Sequence, residues 1–451
     1  MVQNATYTAF SLTVGLAAVL SLGRPAAAAG DCLGFAYEPY VGQWRNNPYW
    51  DGRDPLFRYS TPPWSGTYGR GNWSVARQLD LLAPYTTRLA TYSAGVFPWN
   101  GAPASNLEDN AMVAPALAAR NRSASRKITL YQGIYQQVMN GALGTWSHDV
   151  YTPNAIMEAE VYQAVKLAHD ANAVSPGTMI GLVFTNEYVT SESTTADVAA
   201  LIHWYKERHA GATLPIAVRA QTWGQVKSAG AYATGLKALI GRIDVVMANI
   251  YPSVEAVRRS VSAGNAQAAV DNVTATFRDW ENAAHAANPK VKVVLSETGW
   301  PVAGIWYEDA HGKVVGSPAM ARDFFDRIRQ WANAQQVETY YFEAISEPYK
   351  ANRNWSPQDG PWPGVTDLPP PPPQRVDGAE GHFGPWHYNT ADANGAFVAD
   401  FVVSTLSETS AEPPAHPFQI VCPLTGLLMP VVAFAAGRRV GRRAKMWGPS
   451  L

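Results

Sequence analysis

Cysteine is nearly missing from this chain: 451 residues hold two, Cys32 and Cys422. Without paired histidine spacing beside them they make no structural zinc site, and they allow at most one disulfide. An excess of positive charge is missing too. Thirty-five Lys and Arg face 36 Asp and Glu, but six of the bases sit at the ends. These are Arg24, in residues 1–29, and Arg438, Arg439, Arg442, Arg443 and Lys445 near the C-terminus. Residues 1–29 and the stretch beyond Glu412 contain no acid, so the body, 30–437, carries 29 bases against 36 acids. Phosphate contacts need clustered Lys and Arg, so no nucleic-acid partner is expected. No glycine-rich phosphate loop follows the first candidate strand, which speaks against an open nucleotide-binding sheet. What is present is a 47% apolar share, ample for a large core, and 16 Trp and 21 Tyr against 14 Phe. Aromatic rings with a polar edge suit a sugar-binding cleft and a Trp-rich core equally well.

Long apolar runs are confined to the ends. Residues 9–22 (FSLTVGLAAVLSLG) are too few to span a bilayer, and AAAA at 26–29 supplies small residues for cleavage. Residues 1–29 therefore read as a secretory signal lacking a basic start; a buried first helix is the competing reading. Asp31, just before Cys32, argues against a lipoprotein signal. From Phe418 to Ala436 runs an uncharged apolar stretch of membrane-crossing length, followed at once by GRRVGRRAK. That pattern matches a stop-transfer segment, and membrane association through 418–445 is the expectation, as an anchor or a processed sorting tail. A strand or helix docked on the body is the alternative. Export, to a secreted, periplasmic or cell-surface location, follows from the leader.

Between these ends, eight runs rich in β-branched and aromatic residues alternate with helical patterns. They are CLGFAYEPY (32–40), RLATYSAGV (88–96), KITLYQGIY (127–135), TMIGLVFTNEYV (178–189), LPIAVRAQTW (214–223), DVVMANIYP (244–252), VKVVLSETGWP (291–301) and ETYYFEAISEP (338–348). Several are continuously apolar, as expected of strands covered on both faces. Thr152 with Pro153 predicts an N-cap and first helical position, followed by a face of Val161, Ala164, Val165 and Ala168. Val270, Val273, Phe277 and Trp280 repeat the spacing, as do Phe324, Phe325, Ile328 and Trp331. Eight strand–helix units predict an α/β fold, a (β/α)₈ TIM barrel, with its chemistry at the C-terminal strand ends. The domain is assigned to 30–405, with a linker at 406–417 and the tail at 418–451. A Trp-rich loop (41–73) follows the first strand, and a Pro-rich segment (351–379) follows the eighth.

Two carboxylates then stand out. Glu187 closes the fourth strand in FTNEYV, and Glu297 closes the seventh in LSETGWP. Facing each other across a barrel mouth, such a pair suits retaining cleavage of a glycosidic bond. One carboxylic acid protonates the leaving oxygen and one carboxylate attacks the anomeric carbon, roughly 5–5.5 Å away. Salt bridges at strand ends are the plain alternative for both.

The motifs carry a resemblance. ATYS (90–93), TNE (185–187), NIYP (249–252), SETGWP (296–301), YFEAISEPYK (341–350) and EGHFG (380–384) occur in the order found in glycoside hydrolase family 17. The chain resembles that family, the β-1,3-glucanases of the retaining (β/α)₈ clan, over about 34–390. The resemblance implies Glu187 as acid/base and Glu297 as nucleophile. It implies substrate contacts at Tyr92 and Asn186, a Tyr251 hydroxyl steadying Glu297, and a polar network at Glu347, Lys350 and Glu380. Trp300 is a candidate sugar-stacking ring, with core packing the alternative, and His382 and Phe383 read as structural. Ser346 stands where the family commonly has Asp, and the 351–379 insertion separates Lys350 from Glu380. A β-glucan substrate and a carboxylate mechanism without metal or organic cofactor follow from the resemblance. A β-1,3-glucan transglycosylase and a silent glucan-binding barrel are the competing functions.

Overall fold

The computed structural model describes residues 31–39, 75–96, 110–346, 378–388 and 397–406. Its centre is a closed parallel barrel of eight strands. In chain order these are β1 (Leu33–Ala36), β2 (Arg88–Ala90), β3 (Thr129–Ile134), β4 (Met179–Asn186), β5 (Ile216–Ala220), β6 (Val245–Asn249), β7 (Lys292–Thr298) and β8 (Thr339–Tyr341). Each neighbours the next, and β8 pairs with β1 through Leu33–Thr339 and Gly34–Tyr340 to close the ring. All eight apolar runs of the sequence supply one strand each.

Among the described residues eight α-helices surround the barrel: α1 (Val75–Leu82), α2 (Asn110–Asn121), α3 (Ala155–Val174), α4 (Glu192–Arg208), α5 (Ala231–Ile240), α6 (Val254–Ala263), α7 (Gln267–Ala287) and α8 (Pro318–Gln335). The expected faces hold. Val273 and Phe277 of α7 and Phe324, Phe325 and Ile328 of α8 are buried in the layer between helices and strands. Local chemistry sets the helix starts. Ser191 and Thr194 form a reciprocal capping box at α4, and Ser317 caps α8 ahead of Pro318.

One start differs from the expectation. Thr152 and Pro153 do not begin α3 but pair with Thr145 and Gly144 in a hairpin of Gly144–Ser147 and Val150–Pro153. Asn154 is the cap, its side-chain oxygen accepting from the amides of Ile156 and Met157. Its amide nitrogen donates to the carbonyls of Gln137 (2.6 Å) and Leu143 (3.0 Å), which ties the hairpin base to the helix start. Asn satisfies both jobs at once, whereas a threonine hydroxyl offers one donor.

Inside the barrel a second, smaller core holds Ala90, Tyr131, Val183, Ala217, Val245, Met247, Val294 and Tyr340. Small residues on β2 and β5 make room for the large rings of Tyr131 and Tyr340, whose centroids lie 6.2 Å apart edge to face. Glycine is required beside them: a Cβ on Gly181 would stand 2.5 Å from the Tyr131 ring. The N-terminal end of the barrel is closed by charge. Glu338, 8% exposed, meets Arg88 at 3.2 Å, takes a hydrogen bond from Tyr340 at 2.6 Å and pairs with Lys292. Its carboxyl is held below the usual range: burial opposes this, and the two cations outweigh it. Chemistry is thereby left to the opposite, C-terminal end.

Among the described residues no helix is long and apolar enough to cross a membrane. The leader, the 41–73 and 351–377 loops and the tail from 407 onward, Cys422 included, lie outside the described residues.

Candidate active site

The site begins with a kink. Near its C-terminal end β4 slips register against β5 between Phe184 and Asn186, and Thr185 and Glu187 take left-handed φ values of 59° and 56°. A non-glycine residue held there costs on the order of 1 kcal/mol or more, so surrounding bonds must fix it. They do: the Asn186 amide donates to Gln136 Oε1 (2.7 Å) and the Glu187 amide to the Arg219 carbonyl (3.0 Å). The result turns the half-buried Glu187 carboxylate toward β6, where Asn249 Nδ2 donates to its Oε1 at 2.8 Å. Asn249 Oδ1 in turn accepts from Ser296 Oγ at 2.7 Å, on the residue before Glu297. Asn249 pairs directly with Glu297 in the β6–β7 ladder, so it spans the two carboxylate-bearing strands.

Glu297 has different surroundings. It is 5% exposed, and Tyr251 donates to its Oε2 at 3.2 Å. Arg219 Nη1 lies 3.9 Å from Oε1. Burial pushes the Glu297 carboxyl up to about 7 and the Glu187 charge adds to it; Arg219 and the hydroxyls of Tyr92 and Tyr251 pull the other way. The Glu187 charge reaches the Glu297 carboxyl, so the two glutamates form one coupled dyad.

Tyr92, 9% exposed, extends from the end of β2 beneath this pair. Arg219 stacks over its ring at 4.6 Å. Among the described residues neither the Tyr92 hydroxyl nor Glu297 Oε1 has a hydrogen-bond partner, although both are buried and electrostatically coupled. Around them Phe342, Phe383 and Tyr251 form an aromatic wall, with Tyr251 edge-on to Phe342 (6.2 Å) and Phe383 (5.9 Å). Phe383 is thus a packing residue, as expected.

A protein-family model described as the BtgE/BtgC glycoside hydrolase domain matches residues 127–359, which runs from β3 past β8 and includes both glutamates. The chain belongs to this family. Among solved structures, this family member is similar to an endo-laminarinase from Formosa Hel1_33_131, with 14% identity over 79% of this chain and 83% of that one and a TM-score of 0.52. At that identity the likeness is one of fold. A glycoside hydrolase family 17 β-1,3-glucanosyltransferase from Rhizomucor miehei matches at 19% identity over 71% of this chain and 88% of its own, with a TM-score of 0.43. No curated protein matches the sequence.

Within this glycoside hydrolase, Tyr92, Asn186, Glu187, Tyr251 and Glu297 converge as the sequence predicts. Trp300 does not join them. It is wholly buried, edge-on to Trp306 at 5.0 Å and against Phe324 of α8 at 6.1 Å, so it packs behind β7 and offers no face to a sugar. Glu347 and Lys350 lie outside the described residues, as does the Glu380 side chain, although its backbone forms a short turn at Ala379–Gly381. Ser346 has a clear role. Its hydroxyl accepts from the Gly384 amide (3.0 Å) and donates to the Gly384 carbonyl (3.2 Å), pinning EGHFG to the end of β8.

Three residues of the site were not picked out from sequence: Arg219, Asn249 and Glu160. Glu160, on α3, is fully buried; it accepts from the amides of Ala94 (2.6 Å), Val96 (3.0 Å) and Tyr135 (3.0 Å) and from Ser93 Oγ (3.1 Å). It thereby sets the paths of the chain after β2 and β3, close to Tyr92. Burial lifts its carboxyl to about 7 against those four donors. Glu160→Gln places an NH₂ group against backbone donors, and should lower unfolding free energy by about 2 kcal/mol in urea melts. An unchanged midpoint and slope would show that the cradle is dispensable.

Proposed function

We propose that the protein is a retaining glycoside hydrolase that cleaves β-1,3-glucosidic bonds of β-glucans by double displacement. The observation that carries this reading is the unequal dyad at the barrel mouth. Glu187 is half-open and held by Asn249, while Glu297 is buried under Tyr251 and Arg219. Glu297, once ionised, attacks the anomeric carbon as Glu187 gives its proton to the departing glycosidic oxygen. A glycosyl ester on Glu297 results. Glu187, now a carboxylate, takes a proton from water, which attacks the same carbon and releases Glu297. In this reading Asn186 takes the sugar 2-hydroxyl, and Tyr92 is a further sugar contact. Export through residues 1–29 and membrane association through 418–445 belong to the same proposal, because β-glucans are extracellular polymers.

Mass-resolved products from a ladder of defined β-1,3-gluco-oligosaccharides test the reading, with the first-formed anomer followed by NMR. Shorter chains released as the β-anomer are expected. First release of the α-anomer sinks double displacement, chains longer than the donor point to a transglycosylase, and no turnover on any β-glucan leaves a binding barrel.

A further inference from the structure

Trp146 contrasts with the tryptophans of the core. It is 61% exposed, whereas Trp204, Trp223, Trp300 and Trp386 are 5% exposed or less. It sits on the hairpin between β3 and α3, at the C-terminal end of the barrel, and packs edge-on against its cross-strand partner Tyr151 at 5.3 Å.

The hairpin that carries this exposed ring is held in place. Asp197 of α4, 9% exposed, takes three hydrogen bonds: from Tyr151 (2.8 Å), from the Leu143 amide (2.7 Å) and from Tyr188 (2.9 Å). Tyr188 directly follows Glu187. A second tie comes from Gln136, on the same excursion from β3, which accepts from the Asn186 amide. A chain of contacts therefore runs from the Glu187 segment through Tyr188, Asp197 and Tyr151 to Trp146. An exposed indole costs the apolar surface it leaves in water, and one carried on a hairpin fixed by this many bonds and backed by Tyr151 offers a ligand a face at little ordering cost.

We propose that Trp146 is the platform of a sugar-binding subsite that takes a glucopyranose ring of the β-glucan on the leaving-group side of the cleavage point. The side follows from Glu187. The acid stands beside the departing oxygen, and the hairpin is braced to the acid's own segment. The apolar face of CH groups on a β-linked glucose ring fits an indole, and no charge on the ring is needed. In such a subsite the platform holds the departing chain during the first step and an acceptor sugar during the second, so it bears on the balance between hydrolysis and transfer. The inference rests on the glucanase reading above.

The test compares two substrates on wild type, Trp146→Ala and Trp146→Phe. One is β-laminaribiosyl fluoride, whose leaving group is a single atom; the other is a β-1,3-linked gluco-hexaose. Trp146→Ala should cleave the fluoride at a rate within about twofold of wild type and lose about tenfold in kcat/KM on the hexaose, mostly through KM. Trp146→Phe should recover most of that loss. Equal losses on both substrates would make the hairpin a brace for the catalytic groups only, and an unchanged hexaose rate would mean that no ring rests there. Either result overturns the platform. Wild type inert on both substrates would instead overturn the glucanase reading, and the platform with it.

Discussion

Glu297→Ala should lose on the order of 10⁴-fold or more in kcat/KM on β-1,3-gluco-oligosaccharides, because it removes the atom that bonds to the sugar. The fold should survive. Burial pushes the Glu297 carboxyl up from an ordinary 4.5 to about 7, so the ionised group opposes folding. Its favourable contribution is complete below about pH 4.5 and is lost as pH rises through about 7. The isosteric Glu297→Gln should therefore melt no lower than wild type at pH 8. Chemistry can then assign the two roles. The space left in Glu297→Ala admits a small anion such as azide, which attacks a glycosyl fluoride from the vacated side and gives the α-glycosyl azide. Glu187→Ala retains the nucleophile, forms the glycosyl ester from a fluoride that needs no acid, and should yield the β-azide. Glu187→Gln on unactivated oligosaccharide should lose about 10²–10⁴-fold. A β-azide from Glu297→Ala would exchange the two assignments.

The barrel was legible because strands covered on both faces leave unbroken apolar runs, and each of the eight runs became a strand. Glu187 and Glu297 were legible for a related reason: a carboxylate at the end of such a run has no core role. What escaped lay inside the runs. Arg219 is a charge embedded in LPIAVRAQTW, a pattern that a purely packing strand would not tolerate. Glu160 lies between Met157 and Ala164 on the buried stripe of α3, and an acid on an apolar stripe signals a partner. Both signals were available. The Trp300 outcome was not, since a residue just past a strand end turns toward cleft or core according to the backbone path. Here that path turns its ring onto Trp306 and α8. Likewise the Thr152–Pro153 pair reads as a helix start until the hairpin pairing claims its backbone.

Arg219→Met should cost about 10²-fold in kcat/KM at pH 6 and much less at pH 9. The guanidinium is fully buried, stacked on Tyr92, and 3.9 Å from Glu297 Oε1. The acids around this cluster are Glu297, which Arg219 faces, Glu187, which acts on Glu297, and Glu343, which acts on Tyr92. Arg219 is the cation that draws Glu297 down, with the Tyr92 and Tyr251 hydroxyls assisting. Without it, burial and the Glu187 charge act against those two hydroxyls alone, so the carboxyl rises above about 7. The nucleophile must be ionised, so the acid limb of the kcat/KM profile has to move to higher pH, by about two units for a loss of that size at pH 6. That shift makes the loss steep in acid and shallow in base. Arg219→Lys keeps the charge but loses the planar stack on Tyr92, and should fall between. A structural role alone predicts an equal loss at every pH with the limb unmoved, and that profile would remove Arg219 from the control of the nucleophile.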